Sequence, residues 1–260
     1  MPERNAAVPG RFVWPEVSVK DIPAAKGFYG PLFGWTAQDV VPGYSLMQLR
    51  GKNVAGLCGL GAAREEMGVP SHWMTYIASA DAEEAAGQAH ELGGRILHAP
   101  FDIPGVGRMV VLQDPTGAVF ALWQAGGMHG ADLVDEPGTM SWNELITPDP
   151  KKAGPFYASL HGWKTQVMPM GPPTGDYTIF KNGEEMVGGM MFLDPRAMGE
   201  MPAHWLIYFA VADCDASAKK AGELGGRVVL PPTDIPNIGR FAVILDTQGA
   251  AFAIIRHAAR

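Results

Sequence analysis

The stretch His90–Gln124, HELGGRILHAPFDIPGVGRMVVLQDPTGAVFALWQ, returns as Gly222–Arg256, GELGGRVVLPPTDIPNIGRFAVILDTQGAAFAIIR. The match extends upstream to PSHWMTY at Pro70 and PAHWLIY at Pro202, and roughly half of the aligned positions are identical. Farther back, FYGPLFGW at Phe28 answers FYASLHGW at Phe156, and Trp14 answers Trp142. A period of about 130 residues is the size of a domain, too long for a solenoid unit. The chain is therefore a duplication: residues 1–126 form one domain, 139–260 a second, and the Gly-rich, acidic segment 127–138 links them.

Each half divides again. FVWPEVSV alternates as a strand does, IPAAKGFYGPLFG has apolar residues at helical spacing, and YSLMQL and VAGLCGL read as further strands. After a turn-rich segment comes the strand HWMTYIAS. A helix follows, capped by Asp81 and closed at Gly93-Gly94, with Asp213 and Gly225-Gly226 in the same roles later. Strands GRMVVLQD and AVFALWQ are joined by DPTG, whose Pro and Gly suit a type I turn. Every half is thus a pair of βαβββ modules. Pro31 predicts a kink or an early stop in the first helix. Asp102 with Arg108, and Asp234 with Arg240, are expected to pin the DIPGVGR and DIPNIGR loops.

Composition narrows the partners. A net charge of −7 with no basic block argues against nucleic acid or an anionic membrane surface. No apolar run has the length of a membrane span and the N-terminus lacks a signal-peptide core, so a cytoplasmic protein, monomer or homodimer, acting on a small organic molecule is expected. Cys58 and Cys214 fall at non-equivalent places in the repeat and read as ordinary thiols, not as a disulfide or metal site. No flavin or nicotinamide motif is present, and GLCGLG lacks the strand-then-helix setting of a dinucleotide site, so no cofactor is expected.

With its paired βαβββ units, the run D-x-x-A-x-x-FY-x-x-LFGW after the first strand and the ending DPTGAVFALWQ, the chain resembles the vicinal oxygen chelate superfamily of glyoxalase I, bleomycin-resistance proteins and extradiol dioxygenases. More closely it is similar to two-domain glyoxalase-like proteins sometimes described as hydroxylases. The resemblance implies an α+β fold of tandem βαβββ modules, two per domain, each domain an open eight-stranded barrel-like chamber. It also implies where metal ligands lie in metal-dependent members. Those positions fall on Trp14, Gly56 and Ala121 in the first half and Trp142, Gly189 and Ala253 in the second; only His72 and His204 keep a donor. One imidazole does not hold a divalent ion tightly, so no metal site is expected.

Side chains two apart on a strand share a face. Trp14 and Glu16 thus point together into a chamber opposite His72, Met74 and Tyr76. Trp142 and Glu144 do so opposite His204 and Tyr208. A carboxylate and an imidazole aimed into one cavity would form a hydrogen-bonded pair able to act as a general base; equally, they would only satisfy each other at the wall. Glu16, His72, Glu144 and His204 are the catalytic candidates. Trp14, Tyr44, Met74, Tyr76 and Trp123, with Trp142, Tyr177 and Tyr208, are the ligand-binding candidates. Trp73 and Trp205, out of phase with the histidines, belong beneath the helices. Two readings stand side by side. One is a metal-independent protein that encloses an aromatic or polyketide-like metabolite and transforms it by acid-base chemistry, as a lyase, isomerase or oxygenase-like enzyme. The other is a non-catalytic protein that sequesters such a molecule, as antibiotic-resistance members of the family do.

Overall fold

In a computed structural model, which describes residues 3–170, 175–194 and 201–258, the chain forms two eight-stranded mixed sheets with helices packed on them. The first half contributes β1 (Phe12–Val19), α1 (Ile22–Phe33), β2 (Thr36–Val41), β3 (Tyr44–Leu49), β4 (Lys52–Gly59) and α2 (Ala62–Glu66). It continues with β5 (His72–Ala78), α3 (Ala82–Glu91), β6 (Arg95–Ile103), β7 (Gly107–Gln113) and β8 (Val119–Ala125). The second half runs β9 (Met140–Thr147), α4 (Pro150–His161), β10 (Lys164–Pro169), β11 (Asp176–Asn182) and β12 (Glu185–Phe192). It ends with β13 (His204–Ala210), α5 (Cys214–Glu223), β14 (Arg227–Ile235), β15 (Gly239–Leu245) and β16 (Ala251–His257).

The strand orders are β2-β3-β4-β1-β5-β8-β7-β6 and β10-β11-β12-β9-β13-β16-β15-β14, so the halves share one topology. In each, the two βαβββ modules meet where their first strands pair antiparallel, β1 with β5 and β9 with β13. The outer strands β2 and β10 are exposed along their whole length and leave each sheet open, as an unclosed barrel. Helix starts follow the sequence: Asp81 Oδ1 accepts from the backbone N–H of Glu83 and Glu84, and Asp213 Oδ1 from that of Ala216. The early stop expected at Pro31 does not occur. Helix α1 runs on to Phe33 and ends at Gly34 in the left-handed region; Pro31 is exposed in the last turn, and Gly27, whose carbonyl it leaves without a donor, is exposed to water too.

Strand alternation separates two faces. Val13, Val17, Trp73, Ile77, Phe120 and Leu122 of the first sheet join Trp205, Phe209 and Phe252 of the second in one shared core. The helices cross over within it. Tyr29 and Phe28 of α1 pack on Phe252 of β16, at ring centroid distances of 5.7 and 6.2 Å, while Phe156 and Tyr157 of α4 pack on Phe120 of β8 at 6.2 and 5.2 Å. Trp73 and Trp205 lie against Tyr29 and Tyr157, beneath the helices as their phase requires. Each helix is locked to the opposite half by a buried carboxylate. Tyr29 donates to Asp246 at 2.8 Å and Tyr157 donates to Asp114 at 3.0 Å. The other oxygen of each aspartate accepts backbone N–H groups of its own turn. The candidate residues take the other face of each strand; in the first half Trp14, Met74, Tyr76 and Trp123 are buried and continuous with the shared core, whereas in the second Tyr208 belongs to a cluster of its own.

Candidate functional site

Register places the candidates in rows across each sheet. In the first half Trp14 pairs with Tyr76 and Tyr76 with Ala121; Glu16 pairs with Gly56 and with Met74; Ser18 pairs with Cys58 and with His72. The second half repeats this with Trp142, Tyr208 and Ala253; Glu144, Gly189 and Leu206; and Ile146, Met191 and His204. The strands thus bring one carboxylate, two tyrosines, one tryptophan and one histidine to each concave face.

The carboxylate's partners are the tyrosines. Tyr44 donates to Glu16 Oε2 at 2.9 Å and Tyr76 to Oε1 at 2.8 Å; Tyr208 donates to Glu144 Oε2 at 2.8 Å. Trp142 Nε1 donates to the Tyr177 hydroxyl at 3.0 Å, and Tyr177 in turn bonds to Glu144; Trp14 stands in the same relation to Tyr44. The expected Glu–His pair is not made. His72 Nδ1 lies 2.8 Å from the Pro70 carbonyl and His204 Nδ1 2.8 Å from that of Pro202. Glu16 stands opposite Met74, with His72 one diagonal step away; both carboxylate oxygens are already taken by Tyr44 and Tyr76, and the imidazole turns to the Pro70 carbonyl instead. A ring that donates Nδ1–H to a carbonyl carries its lone pair on Nε2.

Burial sets the charge balance. Desolvation raises the Glu144 carboxyl above its ordinary value, opposed by hydrogen bonds from Tyr208 and Tyr177. Burial beside that carboxylate likewise raises the Tyr177 and Tyr208 hydroxyls, and Glu16 has the same effect on Tyr44 and Tyr76. The His204 imidazole is lowered by desolvation, so it stays neutral at pH 7.

Cys58, which reads as an ordinary thiol in the sequence, and Ser18, which shares the face of Glu16, join the first site. Cys58 Sγ lies 3.1 Å from Ser18 Oγ and 3.7 Å from Glu16 Oε1, and burial pushes its thiol up to about 12. Trp123 is less central than expected: its indole donates to the Met128 carbonyl and its ring meets Tyr76 edge-on at 6.5 Å. Arg108 pairs with Asp102 at 3.0 Å and Arg240 with Asp234 at 3.1 Å, as expected, and Glu83 and Asp215 complete the two clusters.

Gly56 and Gly189 have a reason of their own. A Cβ at Gly56 would stand 2.6 Å from the Tyr44 hydroxyl, and one at Gly189 would overlap the Tyr177 hydroxyl and ring outright. The tyrosine crosses the strand where a family ligand would stand. Gly189→Ala is thus expected to expel Tyr177 from its bonds to Trp142 and Glu144, costing about 1–3 kcal/mol. Gly56→Ala should cost less. Urea denaturation followed by tryptophan fluorescence checks the ordering, and two silent variants would contradict it.

The donors do not fit a divalent ion. Trp14, Gly56 and Ala121 supply none, nor do Trp142, Gly189 and Ala253, and among the described residues no three His, Cys, Asp or Glu side chains converge. Among the same residues no helix is long and apolar enough to cross a membrane.

The sequence profile of the Glyoxalase/Bleomycin resistance protein/Dioxygenase superfamily matches residues 11–122 and again 126–254. The chain is 41% identical over 263 residues to CFP32 of Mycobacterium tuberculosis, provisionally named a glyoxylase, with 99% of each chain covered. It is 34% identical to the anthracycline biosynthesis protein DnrV of Streptomyces peucetius, covering 95% of this chain and 93% of that one. Among solved structures, the Mn(II)-bound glyoxalase of Novosphingobium aromaticivorans superposes with a TM-score of 0.66 at 14% identity, over 95% of this chain and 82% of that one. An extradiol ring-cleaving dioxygenase of B. fuscum superposes with 0.67 at 15% identity, over 100% and 75%.

Proposed function

The chain belongs to the Glyoxalase/Bleomycin resistance protein/Dioxygenase superfamily, and from that premise we propose that it is a metal-independent member enclosing a small aromatic or polyketide-like molecule on its concave faces. The observation that carries the reading is the aromatic-walled carboxylate, Glu16 between Tyr44 and Tyr76 and Glu144 between Tyr177 and Tyr208, built twice by one register. Flat aromatic walls suit a flat ligand, and a carboxylate among hydroxyls accepts a hydrogen bond from a ring hydroxyl. The part that DnrV, as its name states, takes in anthracycline biosynthesis supports a polycyclic aromatic ligand class.

In this reading Glu16 orients a ligand hydroxyl and Nε2 of His72 accepts a proton from it, with Glu144 and His204 at the corresponding places of the second half. A ring bearing oxygen spans the gap that the two side chains do not close themselves. The unmade Glu–His contact favours the second reading, capture without turnover, because no pair is preassembled for base catalysis.

A thermal-shift series with hydroxylated polycyclic aromatics, in the presence and absence of a chelator, tests the proposal. Saturating ligand at 100 Kd stabilises by about 2.7 kcal/mol. The expected result is a rise in Tm indifferent to chelator and reduced in Trp14→Ala and Trp142→Ala. His72→Ala with His204→Ala should spare binding and abolish turnover if the protein is an enzyme, and change neither in a sequestering protein. Stoichiometric zinc, manganese or iron in the purified protein would sink the metal-independent reading.

A further inference from the structure

The two concave faces share their carboxylate, tyrosines, tryptophan and histidine, yet the row through the histidine differs in polarity, while farther out Phe101 gives way to Thr233 in the opposite sense. The row through the first histidine runs Tyr44, Cys58, Ser18, His72; its counterpart runs Tyr177, Met191, Ile146, His204. On the other module His98, paired with Val111, is replaced by Leu230, paired with Val243. A hydroxyl, a thiol and an imidazole thus become isoleucine, methionine and leucine. The first set is connected: Ser18 to Cys58, and Cys58 to Glu16.

The second set packs. Ile146, Leu206, Tyr208, Ala253 and Ile255 form a hydrophobic cluster separate from the shared core, with Trp142 and Met191 against it. The carboxylates follow suit, Glu144 being buried at 6% exposure and Glu16 half-buried. A polar wall desolvates well only against a ligand that returns its hydrogen bonds, whereas an apolar, methionine-bearing wall penalises a ligand hydroxyl with no partner.

We infer that the two chambers bind ligands of different polarity: the first takes a hydroxylated aromatic ring, and the second takes the unsubstituted apolar face of one. The inference rests on the proposed reading that each concave face holds an aromatic molecule. It makes Ser18 and Cys58, against Ile146 and Met191, the residues that set specificity.

The test uses the full chain and two probes of matched shape, 2-naphthol and 2-methylnaphthalene, followed by probe and tryptophan fluorescence. In the wild type each should bind one equivalent without competing. Ser18→Ile with Cys58→Met should weaken 2-naphthol at least tenfold and admit a second equivalent of 2-methylnaphthalene. Ile146→Ser with Met191→Cys should weaken 2-methylnaphthalene at least fivefold and admit a second equivalent of 2-naphthol. Either swap decides the question alone if circular dichroism shows the other unfolded. Competition between the probes in the wild type, or a swap that alters both affinities equally, would overturn the inference while leaving aromatic binding intact. If neither probe binds, and no hydroxylated polycyclic shifts the Tm, the underlying reading falls and takes this inference with it.

Discussion

Replacing Asp246 by alanine is expected to lower stability by about 3–5 kcal/mol, the cost of removing one partner from a buried, charged hydrogen-bond network. One oxygen of this carboxylate accepts the N–H groups of Gln248 and Ala250, and the other accepts the Tyr29 hydroxyl, which itself accepts from Trp73 Nε1. Asp246 is 5% exposed and Tyr29 fully buried. Alanine would strand two buried donors, the Tyr29 hydroxyl and the Ala250 N–H, each costing about 1–3 kcal/mol, and free the part-buried Gln248 N–H. The loss should appear in urea denaturation as a lower midpoint. Asp114→Ala, its counterpart under Tyr157, should behave alike. Asp102→Ala, which breaks an exposed pair, should cost less than about 1 kcal/mol. A loss below about 1 kcal/mol in Asp246→Ala would show that the two halves are not joined through this network.

The second large effect concerns His161, which takes the place of Phe33 in the repeated helix. Its ring stacks beside Tyr157 and meets Trp163 at a tilt, and its Nε2 is buried without a hydrogen-bond partner among the described residues. Desolvation lowers its pKa to about 3, against 6.5 for an unhindered imidazole. The unfolded chain therefore binds more protons than the folded one between these values. The folded state is at full strength above pH 6.5 and loses stability as the pH falls towards 3, by at most about 1.4 kcal/mol per unit. His161→Phe should add about 1–2 kcal/mol at pH 7.5, where only the unsatisfied nitrogen is removed. Its advantage should widen at pH 5. Parallel pH dependence of wild type and variant would rule out the buried neutral imidazole.

Much of this molecule is legible in its sequence because a duplication prints every signal twice. The repeat of the HW strand, the capped helix and the DPTG turn locate both sheets, and alternation alone puts Trp14, Glu16, His72 and Tyr76 on one face. Alternation assigns a face but not a neighbour. Glu16 and His72 share that face and yet do not pair, because both Glu16 oxygens accept from tyrosines and the His72 ring turns to the Pro70 carbonyl. Tyr44, a ligand-binding candidate in the sequence, arrives from a strand two places away, through β4, and nothing local announces its bond to Glu16. A signal did exist. Tyr44 precedes Gly56 by the same interval as Tyr177 precedes Gly189, which marks each glycine as space for a ring rather than as a lost ligand. The turn aspartates were readable as turn formers only, since the second oxygen of each serves a helix from the far half.

That crossing of helices bears on descent. A progenitor consisting of one half would have left Phe28 and Tyr29 on an uncovered helix and the far oxygen of its turn aspartate unbound. It would have found both partners on a second copy of itself related by twofold rotation. Fusion of two such subunits would join partners already reciprocally clasped and leave the two hollows free to diverge, and either half expressed alone would expose the helix face and the turn carboxylate that the other now covers.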